Sequence, residues 1–392
     1  MNERQLFQQY LAPTSPAPLM LEMVKGNGCW VWDREGKKYL DLISGISVNH
    51  LGHVHPEVVA AIRQQAGEYL HLMVYGELIQ SPQVRYAEKL VSLLPSSLDS
   101  VYFTNSGAEA TEGAMKLAKR ATGRSEFIAF QNAYHGSTQG ALSLLGEEAM
   151  RTAFRPLLPD IRHLRYGVAD DLSFISTHTA AVFFEPVQAE SGVVVPETSY
   201  VQALRKRCDE TGSLLVFDEC QTGFGKTGKL FALELSGVVP DILLLAKALG
   251  GGMPLGAFVA GKALMQTLSH HPVLGHLTTF GGHPVSCAAG LAALEVLQRE
   301  GYVQQVVGKA QLFRAALQGF PLLQAGLLMS WNLETPEKNQ ALLRRCLELG
   351  VLSDWFLFAP ERLRIAPPLL ISEEEIKFAC SVLQEAAASL SC

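Results

Sequence analysis

The sequence predicts an α/β protein: a large, mostly parallel sheet covered by helices on both faces, with a smaller α+β lobe built from both termini. Three observations lead there. From about residue 80 the pattern runs helix, strand, helix, strand, as in parallel strands joined by helical crossovers. A hairpin of its own lies within the first 45 residues, and after a helix rich in alanine and leucine from Pro284 to about Gly301 the chain is less patterned, so both ends are assigned to the small lobe. The length of 392 residues exceeds one ordinary domain and suits one large and one small lobe. The expected division is an N-terminal arm with part of the small domain over 1–45, a large domain over 46–283 and the remaining small domain over 284–392.

Composition narrows the function. Hydrophobic residues at 48% and charged ones at 18% describe an enzyme-sized globular chain with ample core. A net charge of -6 offers no electrostatic case for nucleic acid or a membrane surface as partner. The seven cysteines stand singly, without a Cys-x-x-Cys pair, and read as reduced thiols of a cytoplasmic protein. Met1 to Tyr10 is polar and lacks the apolar core of a signal peptide, and no apolar run approaches the length of a bilayer span. There is no internal repeat and no low-complexity tract.

In chain order, Pro13, Pro16 and Pro18 predict an extended surface arm over about the first twenty residues. Cys29 to Trp32 and Tyr39 to Leu42 flank Asp33-Arg34-Glu35-Gly36-Lys37, which has hairpin turn chemistry. A loop bearing glycine and histidine follows, and a helix starts near Pro56. His53 and His55 have no third ligand at a recognisable spacing, so a structural role is expected and no metal site is assigned. Val101 to Thr104 reads as a strand leading into Asn105-Ser106-Gly107-Ala108 and a helix to Arg120. Small residues at such a junction leave the first-turn amides open to an anion, although Ser106 could simply cap the helix. Phe127 to Phe130 is the next strand, followed by a loop in which Tyr134 offers a flat ring for stacking or packs under the loop. Ala181 to Phe184 ends in Glu185, with Glu190 just beyond, at the sheet edge where ligands bind in open α/β folds.

Ser213 to Phe217 carries Asp218 into the interior, where a carboxylate requires a cationic or donor partner. The nearby Gly225-Lys226-Thr227 is not a phosphate-binding P-loop, because that motif needs glycine where Cys220 stands. Leu243 to Ala246 is an apolar run that delivers Lys247 ahead of Gly250-Gly251-Gly252. A lysine so placed loses hydration, which favours the neutral amine that attacks an aldehyde; the alternative is a lysine snorkelling from a strand end to solvent.

An anion cradle, an aromatic plate, a buried acid and a desolvated lysine together are what pyridoxal 5'-phosphate requires. At these residues the sequence resembles the class III aminotransferases of the pyridoxal-phosphate fold type I superfamily, from about Gly26 to Leu370, with Lys247 lying 29 positions after Asp218. The resemblance implies that Ser106, Gly107 and Ala108 hold the phosphate, Tyr134 stacks on the ring, Asp218 bonds the ring nitrogen and Gln221 contacts the phenolic oxygen. Contacts from His135, Glu185 and Cys220 complete the implied cofactor set, with Cys220 standing where relatives commonly place valine. Lys247 would form the imine and shuttle the proton, and Asp218 is its catalytic companion. Thr278 and Thr279 match a segment whose threonine reaches the phosphate of the neighbouring subunit, which implies a homodimer.

By the same resemblance Arg364 grips a substrate α-carboxylate, and Glu190 pairs with it until a second substrate arrives; the alternative for Arg364 is a surface ion pair. The implied reaction is transfer of an amino group, from the terminal amine of an ornithine-, acetylornithine- or diamine-like donor to a 2-oxo acid such as 2-oxoglutarate, by a ping-pong cycle. Ser137 departs from the pattern: acetylornithine and ornithine aminotransferases usually carry arginine there, and the surrounding run looks more like the putrescine aminotransferase branch. Other readings of the scaffold are an aminomutase or racemase, or a non-catalytic protein that binds the cofactor.

Overall fold

The computed structural model describes residues 1–390, in which three sheets are present. The largest has seven strands in the order Ser100–Thr104, Gly256–Ala260, Ile242–Leu245, Leu214–Asp218, Thr179–Phe184, Glu126–Phe130 and Ile161–Leu164. Gly256–Ala260 is antiparallel to both neighbours, and the remaining pairs are parallel. The sheet is thus mostly parallel, as predicted, with one reversal. Its cause is the short glycine-rich return after Ile242–Leu245, since a parallel return needs a crossover of about a dozen residues or more.

Alternation along the strands divides the core. Ile242 and Leu244 join Val216 and Phe183 beneath the helix Gly107–Thr122, whereas Leu243 and Leu245 join Phe217 and Val182 on the opposite face. Every residue of Thr179–Phe184 and Ile242–Leu245 is buried, as strands covered on both faces must be. The expected helices are present at Pro56–Glu68 and Pro284–Arg299.

The second sheet joins the two ends of the chain. Met23–Asn27, Trp30–Asp33 and Lys38–Asp41 are antiparallel, and Val351–Leu352 adds in parallel to Lys38–Asp41. The predicted hairpin turn is held by Asp33 Oδ1, which accepts from the amides of Glu35 and Lys37. Leu322–Ala325, Leu328–Asn332, Ala359–Ile365 and Trp355–Phe356 form the third sheet, all antiparallel.

The opening arm differs from expectation. Glu3–Tyr10 is an α-helix rather than extended chain, started by a reciprocal capping box between Asn2 and Gln5, and none of its residues is buried. The prolines, all beyond Tyr10, limit its length without preventing its formation.

Two unusual features lie between the sheets. Ser44, Gly45, Ile46 and Ser47 all have positive φ, between 49° and 63°, making one left-handed turn. Non-glycine residues there cost about 1–2 kcal/mol each, so the surroundings must hold the turn. Asp41 Oδ1 accepts from the amides of Ile43 and Ser44, and Ser44 Oγ donates to the Ala366 carbonyl at 2.8 Å. Lys226, fully buried, donates from Nζ to Ser44 Oγ at 3.3 Å and to the carbonyls of Ala366 and Pro367 at 3.2 and 2.8 Å. One ammonium therefore ties the loop after Asp218 to both ends of the chain.

Candidate active site

The carboxyl ends of the parallel strands open on a cavity of about 490 Å³. Ser106, Gly107, Ala108, Tyr134, His135, Ser137, Glu185, Glu190, Asp218, Cys220, Gln221 and Lys247 all line it, which brings together most of the residues singled out from the sequence.

Lys247 follows Ile242–Leu245 and itself takes positive φ, 53°, at the head of a 3₁₀ turn. Gly251 completes the reversal with φ 59°, and a Cβ there would stand 2.6 Å from the Ala289 carbonyl of the helix behind. The amine is half-buried and donates to Gln221 Oε1 at 3.3 Å, so it is held inside the cavity rather than snorkelling to solvent. Asp218, at the end of the neighbouring strand, has the donors its burial demands. His135 Nδ1 donates to Oδ2 at 2.8 Å, and the Cys220 amide donates to Oδ1 at 2.9 Å. Burial pushes the Asp218 carboxyl up, but the hydrogen bond and charge of His135 with the Cys220 contacts outweigh it, leaving the pKa below its ordinary value. Asp218 is thus anionic at neutral pH. Glu185 moves the opposite way: burial and the nearby Asp218 charge hold it well above the carboxylate range, and it accepts from the Tyr134 amide at 3.2 Å.

Ser106 both caps and lines. Its Oγ accepts from the Glu109 amide at 3.2 Å, while the small residues after it leave first-turn amides without intrahelical partners at the cavity wall. Gly107 is required for the close approach, since a Cβ would lie 3.0 Å from Cys220 Sγ and 3.3 Å from the Ala246 Cβ. Tyr134 is half-buried, its hydroxyl 3.2 Å from Ser137 Oγ. Burial pushes the Cys220 thiol up, so it remains a small neutral wall.

Arg364 is only 2% exposed, which rules out a surface ion pair. Its Nη2 donates to both Glu190 oxygens at 3.1 and 2.9 Å, its Nε donates to Asp354 Oδ1 at 2.8 Å, and its guanidinium lies 4.4 Å from the centre of the Phe356 ring. Burial raises the Glu190 carboxyl, but the charge and hydrogen bonds of Arg364 outweigh this and hold it low. Glu190 lines the cavity and Arg364 does not, so the acid stands in front of the base. Asp354 escaped the sequence reading. The available signal was a hairpin pattern in which Asp354 and Arg364 flank one turn, but nothing in it pointed the carboxylate at the guanidinium.

Thr278 and Thr279 lie outside this cavity. Thr278 Oγ1 accepts from Asn105 Nδ2 at 2.9 Å, and Thr279 is exposed. No cluster of three or more metal-binding side chains occurs among the described residues.

An amine set beside an acid that stays ionised suits a molecule with an aldehyde at one end and a basic ring nitrogen at the other, and this marks an enzyme that anchors a carbonyl cofactor on lysine. The comparison with protein families is specific: Aminotransferase class-III matches residues 11–387, and the chain belongs to that family. It is 38% identical to the acetylornithine aminotransferase of Methanopyrus kandleri, covering 98% of this chain and 99% of that one. With the acetylornithine aminotransferase of Mycobacterium tuberculosis it shares 42% identity, over 91% and 89% of the two chains. Among solved structures, the ornithine aminotransferase from Toxoplasma gondii, with partial occupancy of pyridoxal phosphate at its active site, superposes with a TM-score of 0.91. The two chains are 30% identical, covering 99% of this chain and 93% of that one.

The protein is therefore a transaminase dependent on pyridoxal phosphate, and its substrates are an amine donor and a 2-oxo acid. The residues present fit that cofactor. A helix N-terminus of small residues suits the phosphate, and Asp218 supplies the anion for the ring nitrogen. Gln221 Nε2 is a buried donor with no partner among the described residues, available to a ring oxygen.

Proposed function

We propose that this aminotransferase takes the terminal amine of an ornithine-, acetylornithine- or diamine-like donor and passes it to a 2-oxo acid such as 2-oxoglutarate in a ping-pong cycle. The observation that carries this reading is Glu190 standing between the cavity and Arg364. While the pair is closed the site offers no free guanidinium, so a donor enters amine first, without a carboxylate beside the reacting carbon. When a 2-oxo acid arrives, Glu190 yields and Arg364 meets the carboxylate in a two-point fork.

The remaining roles follow from position. Ser106, Gly107 and Ala108 hold the phosphate at the helix terminus, Tyr134 and Cys220 enclose the ring, and Gln221 donates to its oxygen. His135 fixes the Asp218 carboxylate, which keeps the ring nitrogen protonated, and Glu185, its carboxyl pushed up by burial and the Asp218 charge, supports the Tyr134 loop. Pyridoxal phosphate, when bound, supplies the aldehyde that accepts the amino group and a ring that holds the electron pair released at the donor carbon. Lys247 Nζ would take the proton from that carbon and return it on the cofactor side. Positioned transfer of this kind contributes roughly 10²–10⁴ in rate.

The likeness to acetylornithine and ornithine aminotransferases supports the donor class, and Ser137, exposed at the rim, keeps diamines within it. The division into 1–45, 46–283 and 284–392 accords with the sheet that joins both ends. A homodimer is supported by an open groove of about 580 Å³ whose walls include Tyr75, Val273, Leu274 and Leu277, all apolar and exposed, with Thr279 close by in sequence and available to a second copy. A cytoplasmic setting is supported by the six described cysteines, all free. Among the described residues no helix is long and apolar enough to cross a membrane.

The test is a donor screen with N-acetylornithine, ornithine, putrescine and 4-aminobutyrate against 2-oxoglutarate and pyruvate, following cofactor absorbance. Bleaching by a terminal amine, reversed by a 2-oxo acid, supports the reading. Bleaching by α-amino acids alone would overturn it.

A further inference from the structure

Arg364 has more partners than gating by Glu190 requires. Glu190 binds through Nη2, which also donates to the Trp355 carbonyl at 3.2 Å, Asp354 occupies Nε, and Nη1 is buried with no partner among the described residues. The two acids are held differently. Glu190 reaches the arginine from a loop at the cavity wall, where the Leu357 amide also donates to its Oε2 at 3.0 Å. Asp354 is fixed to the strand of Arg364 itself: the Arg364 amide donates to the Asp354 carbonyl at 2.9 Å, and the next residue, Trp355, is in register with Leu363. Phe356 then covers the guanidinium at 4.4 Å. If Glu190 were the sole counter-ion, its departure would leave a buried cation unpaired and free to change rotamer, a state that costs several kcal/mol.

We propose that Asp354 is a positioning residue: it anchors Arg364 through Nε, so that when Glu190 leaves, the guanidinium stays in place and offers Nη1 and Nη2 to the carboxylate of the 2-oxo acid. The proposal rests on the reading of Arg364 as the residue that receives that carboxylate. An anchor on Nε also dictates the approach. The side edge formed by Nε and Nη2 is closed, and a carboxylate binds end-on through the two Nη atoms, one of which has no other partner.

The experiment uses purified holoenzyme converted to its aminated form with pyridoxamine phosphate, so that no donor need be known. Single-turnover kinetics with 2-oxoglutarate and, in parallel, pyruvate then give a KM and a limiting rate. Calorimetric titration with glutarate, a carboxylate that cannot react, gives an affinity independent of turnover. Asp354→Ala should raise KM and weaken glutarate binding by roughly tenfold or more while the limiting rate stays within about twofold, because a guanidinium that has lost its anchor binds less well without altering the chemistry at Lys247. Asp354→Asn retains an oxygen that accepts from Nε and should recover most of the loss. Should Asp354→Ala fail to fold, Asp354→Ser, too short to reach Nε, takes its place with the same outcomes. If Arg364→Ala raises KM but the Asp354 variants do not, or if they lower the limiting rate instead, the anchor role is overturned. If Arg364→Ala itself leaves KM and glutarate binding unchanged, it is the assignment of Arg364 that falls.

Discussion

Lys226 gives a prediction whose sign follows from the structure. Burial pushes its pKa down from near 10.5 to about 7; the Asp41 charge opposes this, and the Arg364 charge adds to it. At about 1.4 kcal/mol for each pH unit, the displacement corresponds to a folding penalty of roughly 5 kcal/mol, present in full below pH 7, where the ammonium is charged in both states. Between about 7 and 10.5 the unfolded chain holds a proton that the folded chain has released, so stability due to this group must rise with pH. Lys226→Met removes the titration and also the donor to Ser44 Oγ and to the carbonyls of Ala366 and Pro367. Losing the donor shifts stability by an amount that does not depend on pH, whereas losing the titration changes the slope. Urea unfolding of both proteins followed by circular dichroism from pH 7 to 9 should therefore show the wild type gaining roughly 2–3 kcal/mol relative to the variant. A difference that stays flat across that range, or declines, refutes the reasoning.

Other expectations are simpler to state. Lys247→Ala should abolish the borohydride-trapped adduct on its peptide and lower turnover by about 10²-fold or more, and a surviving adduct elsewhere would displace Lys247 from its role. Asp218→Asn, which keeps the shape but not the charge beside His135, should lower the limiting rate by roughly 10²-fold or more with a shifted absorbance of the bound cofactor; an unchanged spectrum would argue against contact with the ring nitrogen. Ser137→Arg should move the ratio of kcat/KM toward N-acetylornithine and away from putrescine by about tenfold, and an unmoved ratio would place specificity elsewhere. Ser372→Ala breaks the capping box in which Ser372 Oγ accepts from the Glu375 amide while Glu375 Oε2 accepts from the Ser372 amide; it should cost about 1 kcal/mol in urea unfolding and leave kcat/KM untouched.

The parts of this molecule that were legible in its sequence are those decided locally. A run such as Leu243 to Leu245 can be satisfied only by burial on both faces of a sheet, and a lysine at its end next to glycines has few ordinary uses. Asp218 was legible for the same reason, because five mostly apolar residues carry it inside. Relations between distant segments were not legible. Nothing near Lys226 announces Ser44 or Pro367, since both are supplied by distant parts of the chain, and although Asp354 and Arg364 flank one turn, nothing in the pattern points the carboxylate at the guanidinium. The strand Gly256–Ala260 went unmarked because its residues, all buried, show no alternation, and its reversed direction depends on the length of the preceding return. The N-terminal helix was hidden by prolines that lie beyond it.

The parallel pairing of Lys38–Asp41 with Val351–Leu352 has a consequence for how the enzyme is made. A nascent chain leaving the ribosome can assemble the lysine and its acid long before the wall that carries Arg364 has been synthesised. The early strands must wait, with one edge open, for residues that emerge late. Newly made protein should therefore acquire the capacity to hold its cofactor before it can recognise a 2-oxo acid, and chains released short of the final strands would be coloured but unable to complete a cycle.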